Sequence, residues 1–135
     1  MPALRFNPHD PRSSTYEGIL SMFAARDRNI GAAVVSDEGL PLANVLPEDL
    51  AAETVGAYGW EMLRPLRSLS RKMGFGTVYQ ATLHTEQGTI CLVPSEHALL
   101  LAIARHKAHA GFSPEEAEQL AESIQRIWVA HYGPA

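Results

Sequence analysis

The sequence predicts an α+β domain with elements in the order α-β-β-α-β-β-β-α, a five-stranded antiparallel sheet sandwiched between helices. Three observations predict it. The tripeptides Asp37-Glu38-Gly39 and Glu86-Gln87-Gly88 each separate two short strand-like runs, as a hairpin turn with a positive-φ glycine does. Short turns inside each strand group force antiparallel neighbours. Stretches with helical apolar spacing lie before, between and after the two strand groups.

The elements follow in order. Residues 1–12 carry three prolines and no periodicity, and read as a flexible N-terminal arm before a single domain over 13–132. Ser14-Thr15-Tyr16-Glu17 matches a capping box with Ser14 as the cap. The helix it opens presents Tyr16, Ile19, Leu20 and Phe23, and runs to about Arg28. Gly31 to Ser36 reads as a strand, and Leu40 to Val45 returns beside it. Pro41 marks that second strand as an edge or a ragged start.

Leu46 to Met73 reads as one long helix, with Pro47 in its first turn and Gly74 at its C-terminal cap. At roughly 100° per residue, Ala51, Val55, Tyr58, Met62, Leu66, Leu69 and Met73 form one stripe, read as the core face. Trp60, Arg64, Arg67 and Arg71 form a second stripe, roughly opposite by the same arithmetic. Trp and Arg are types enriched in binding hot spots, so this face is the candidate partner site. Arginines at helical spacing are also what a plain solvated face shows. Gly56 and Gly59 each cost about 1 kcal/mol relative to alanine inside a helix. They point to something packed close to the backbone. Pro65 removes one backbone hydrogen bond and predicts a kink or a break.

Gly76 to Thr85 alternates as a half-buried strand, and Thr89 to Val93 returns from it. Ala98 to Ala104 is apolar throughout, which predicts a strand covered on both faces. Ser113-Pro114-Glu115-Glu116 opens the last helix with a Ser cap and a completed box. That helix runs to about His131 and buries Ala117, Leu120, Ala121, Ile124, Ile127 and Trp128.

Composition narrows the function classes. With 46% hydrophobic and 19% charged residues in 135, the chain can form a core without staples. A formal net charge of -4 argues against nucleic acid as the main partner. The single cysteine, Cys91, permits no intrachain disulfide and sits in an apolar run. No signal-peptide pattern opens the chain, and no apolar run is long enough for a membrane helix. The expected location is therefore cytoplasmic, without membrane insertion.

No catalytic constellation emerges. Met73-Gly74-Phe75-Gly76 follows a helix and precedes a strand, the reverse of a phosphate-binding loop. Ser36-Asp37 and Ser95-Glu96-His97 are better read as turn chemistry than as nucleophile and base. Glu48-Asp49 and Glu115-Glu116 complement helix N-termini. His106 and His109, with His84 and His97, are the only candidates for a metal, and no Cys or carboxylate cluster accompanies them. No cofactor or metal is expected, and no catalytic residue is assigned.

The ordered set of segments resembles the roadblock/dynein light chain family, in its prokaryotic MglB-like branch. The resemblance covers roughly residues 15 to 130. It is carried by Gly31-Ala32-Ala33-Val34-Val35-Ser36-Asp37-Glu38-Gly39-Leu40, Leu50-Ala51-Ala52 and Gly74-Phe75-Gly76. The hairpin Gly88-Thr89-Ile90-Cys91-Leu92-Val93-Pro94 and the strand Ala98-Leu99-Leu100-Leu101-Ala102-Ile103-Ala104 complete it. The resemblance implies a profilin/longin-like architecture and a homodimer or a mixed dimer. In such dimers sheets join edge to edge and the long helices pack side by side. It also implies a small Ras-like (MglA-like) GTPase as partner, regulated without an active site in this chain. On that reading Gly56 and Gly59 are the dimer contact, and Trp60, Arg64, Arg67 and Arg71 line the platform for the GTPase. Two other readings stay open: a scaffold with no effect on any GTPase, and a small-molecule or metal sensor.

Overall fold

The structure, a computed structural model, describes residues 7, 9, 10, 14–106, 108 and 111–133. Most of the expected arm therefore lies outside the described residues. The elements are α1 (Tyr16–Ala24), β1 (Ile30–Ser36), β2 (Pro41–Val45), α2 (Ala52–Lys72), β3 (Ala81–Thr85), β4 (Gly88–Pro94), β5 (Ala98–Arg105) and α3 (Pro114–Tyr132). This is the expected order. The five strands form one antiparallel sheet in the order β2-β1-β5-β4-β3. β5 lies at its centre and is buried from Ala98 to Ala104, as an unbroken apolar run requires.

Strand alternation divides the core into two layers. Ala32, Val34, Cys91, Val93, Leu100 and Ala102 face α1 and α3, where Phe23, Leu20, Leu120 and Ile124 meet them. Ala33, Val35, Leu92, Leu99 and Leu101 face the other way and meet Trp60 and Leu63 of α2. Cys91 is fully buried, and burial pushes its thiol pKa up. Two helices thus cover one face of the sheet, and one helix covers the other.

The helix termini show local chemistry winning over longer patterns. In α1 the cap is Thr15, whose hydroxyl accepts from the Gly18 N–H at 3.0 Å, not Ser14. The helix ends at Ala24, short of Arg28, because the Asp27 carboxylate accepts from the Asn29 N–H and turns the chain into β1. α3 carries the expected capping box between Ser113 and Glu116. The second carboxylate oxygen of Glu116 receives Arg26, just past the end of α1, which ties the two helices.

α2 begins at Ala52, not Leu46. Pro47 heads a separate turn, closed by the Leu50 N–H to the Pro47 carbonyl at 2.9 Å. Pro65 lies inside α2 without ending it. At the C-terminus the Gly74 N–H reaches the Arg71 carbonyl at 3.0 Å and the Phe75 N–H reaches that of Ser70 at 2.9 Å. These two bonds, with Gly74 at φ 84°, make a Schellman cap. β3 starts only at Ala81; residues 76–80, expected as strand, pair with nothing in the sheet.

Candidate functional site

The exposed surface of α2 is the candidate site, and the helix presents it differently from the expected two faces. The buried seam is Ala52, Gly56, Gly59, Trp60 and Leu63. A Cβ on Gly59 would sit 2.8 Å from Leu101 Cδ2, and one on Gly56 3.0 Å from the Gly39 carbonyl oxygen. The two glycines thus admit the chain's own sheet against α2. The expectation that they form the dimer contact is corrected by this packing: both are buried, and their close approach is already used.

The expected core stripe is in fact one flank of the seam. Tyr58, Leu69 and Met73 are 59%, 54% and 70% exposed. Met62 and Val55 are half-buried against the α2-side core. Of these, Val55, Tyr58 and Met62 overhang an open groove of about 230 Å³ between α2 and the β4–β5 half of the sheet, lined also by Ile90, Leu101 and Ile103. Phe75 and Tyr79, just beyond the helix, are also largely exposed.

The second stripe is the other flank, on the β2 side. Trp60 is not an exposed member of it: the indole is only 6% exposed, and its Nε1–H donates to the Ser36 carbonyl at 2.7 Å. A large apolar ring with one polar handle is better buried once that handle has a partner. Trp60 instead supports its neighbours. The guanidinium of Arg64 lies 5.9 Å and that of Arg67 5.4 Å from its ring centroid. Arg64 and Arg71 are exposed and Arg67 is half-buried. Among the described residues, no carboxylate pairs with any of the three. The two flanks stand roughly 90° to either side of the seam at 100° per residue.

The sheet has two open edges, and they differ. β2 begins at Pro41 and carries a register shift opposite Val34/Val35, both devices that discourage strand addition. β3 pairs with β4 in unbroken register and has neither device. The bare edge lies on the same side of α2 as the apolar flank.

Histidine is dispersed. His97 stacks on Trp128 of α3 at 4.6 Å, His84 meets Thr89, and His106 is exposed after β5. His109 lies outside the described residues. Among the described residues no group of three or more His, Cys, Asp or Glu is placed to hold a metal. Sequence reasoning passed over Leu63, which lies between the two stripes and completes the seam. It also passed over the exposed Leu42 at the β2 edge. The glycine pair was the available signal for the seam.

Residues 23–105 match the Roadblock/LC7 domain. The chain belongs to that family. Two uncharacterised proteins of Methanocaldococcus jannaschii, MJ1340 and MJ0310, are each 26% identical over 98 residues, covering 73% of this chain and 86% of theirs. The fold is shared with the gliding protein mglB of Thermus thermophilus, with a TM-score of 0.74, 17% identity, and 94% and 96% of the two chains covered. MglB of Myxococcus xanthus superposes with a TM-score of 0.70 at 8% identity over 90% of this chain and 98% of its own. Roadblock/LC7 members are protein-interaction modules, and the α-β-β-α-β-β-β-α order with its antiparallel sheet is the family's fold. No described helix is long and apolar enough to cross a membrane.

Proposed function

We propose that this chain is a cytoplasmic dimeric module that binds a small Ras-like GTPase and regulates its GTP hydrolysis without an active site of its own. The observation that carries the reading is the division of α2 into an apolar flank and an arginine flank.

The apolar flank, the groove beneath it and the bare β3 edge favour a second copy. An isologous contact needs a self-complementary patch. An unpaired edge strand beside an exposed apolar stripe supplies one, since the edge can pair with its own copy while the two stripes pack. A solved MglB with tetrameric arrangement, TM-score 0.62, is an oligomer of the same fold. In such a dimer the arginine flank of each copy faces away from the contact. Arg64, Arg67 and Arg71 are then free for the GTPase, with Trp60 holding two of them in place.

The test is capture of the cognate GTPase on immobilised protein, with a GTP analogue and with GDP. Retention mainly with the analogue is expected, and Arg64→Glu with Arg67→Glu abolishes it while the fold is kept. Equal capture by the double variant would remove these arginines from the site. Single-turnover hydrolysis then decides the regulator: an unchanged rate despite binding leaves a scaffold.

A further inference from the structure

We infer that the arginine flank docks an acidic helical segment of the partner protein, its carboxylates set against Arg64 and Arg67. The inference rests on the reading of this flank as the partner face, and it deepens that reading by naming the docking chemistry.

Four observations carry it. The chain as a whole is acidic, at -4, yet Arg64, Arg67, Arg71 and Lys72 fall within nine residues. Arg71 and Lys72 stand in the last turn, where a cation complements the helix dipole. Arg64 and Arg67 stand earlier in the helix, beyond the reach of that explanation. Neither has a carboxylate partner among the described residues, although Glu61 shares the helix and Asp37 and Glu38 stand in the hairpin beyond Ser36.

The two guanidiniums are also held in position. Both lie over the Trp60 ring, and that ring is fixed by burial and by its bond to the Ser36 carbonyl. A stacked guanidinium keeps its donor edge free for a carboxylate, and less side-chain entropy is lost when one arrives. The shape of the occupant follows from the neighbouring edge. Pro41 and the register shift in β2 disfavour an added strand. Arg64, Arg67 and Arg71 repeat at i, i+3 and i+7, spanning roughly 10 Å of helix axis, which a second helix with acids at the same spacing matches.

The probe is a fluorescein-labelled helical peptide of about 18 residues, five turns. It carries Glu at i, i+3, i+4 and i+7 and Leu on the adjacent stripe; a second peptide has Gln at each Glu. Anisotropy is read with the full chain at low and at physiological salt. The Glu peptide is expected to bind, to weaken with salt, and to lose about tenfold in affinity with Arg64→Ala and Arg67→Ala together. Arg126→Ala, on the opposite layer, leaves binding unchanged. Equal binding of the Glu and Gln peptides, or no binding of either, overturns the inference. Should the Arg64→Glu, Arg67→Glu protein lose GTPase capture while the Glu and Gln peptides bind alike, only the acidic-helix inference falls. Should GTPase capture survive that variant while the Glu peptide still needs the arginines, the flank binds acidic helices and only the placement of the GTPase on it falls.

Discussion

Trp60 shows how one residue can be placed correctly along the chain and wrongly in space. Its spacing with the arginines is real, but its size and its N–H draw it inward to the Ser36 carbonyl. Trp60→Phe removes the donor and half of the indole, leaving the Ser36 carbonyl with only the Gly39 N–H and a gap in the packing. The lost hydrogen bond costs about 1 kcal/mol and the gap adds to it, and a urea unfolding midpoint reads the sum. Gly59 is a second single-residue test. Alanine there gains about 1 kcal/mol of helix propensity but meets the buried Leu101 side chain at 2.8 Å, where overpacking costs about 1–3 kcal/mol. Gly59→Ala is expected to lose stability on balance, by about 1 kcal/mol. Tyr16 bears on alkaline pH. Burial pushes its pKa up to about 12, and Tyr132 adds to the push. In the unfolded chain tyrosine ionises near 10. Tyr16 therefore contributes stability that is fully present below about pH 10 and falls away as pH rises toward 12. Tyr16→Phe flattens that fall in a pH series of thermal midpoints; an unchanged alkaline decline would show that another group causes it.

At the scale of elements, the strands and α3 were legible because local pattern and tertiary demand agree there. β5 is apolar throughout and lies at the sheet centre. Ser113 and Glu116 form the box that their spacing predicts. α2 was legible in extent toward its C-terminus but not in orientation. Its most apolar stripe, from Val55 to Met73, is not its buried seam, because small residues at Ala52, Gly56 and Gly59 bring the backbone onto the sheet. Hydrophobic periodicity weighs side-chain size, so the alanine and two glycines of the seam are nearly silent to it. The candidate site was therefore half visible: the arginines were found, while their support by a buried Trp60 needed the fold. Residues 76–80 were misread as strand because alternation alone does not supply a partner. An element-scale prediction follows from the apolar flank. Tyr58→Glu with Leu69→Glu introduces charge on an exposed stripe, so helical content by circular dichroism stays near wild type while self-association is lost.

At the scale of the molecule, the two faces of the sheet have different tasks. The α1–α3 face is closed by a full layer of side chains and by the Arg26–Glu116 tie. The α2 face is left unfinished on the β3 side, with an open groove and an unprotected edge, and charged on the β2 side. The proposed dimer through the unfinished side would complete the core and turn both arginine flanks outward. Light scattering on the purified chain tests this arrangement most directly, with wild type compared against Tyr58→Glu/Leu69→Glu and Arg64→Glu/Arg67→Glu. The predicted result is twice the chain mass for wild type and for the arginine variant, and a single chain mass for the apolar-flank variant. A wild-type monomer, or a dimer broken by the arginine substitutions and indifferent to the apolar ones, would contradict the assignment of the two flanks.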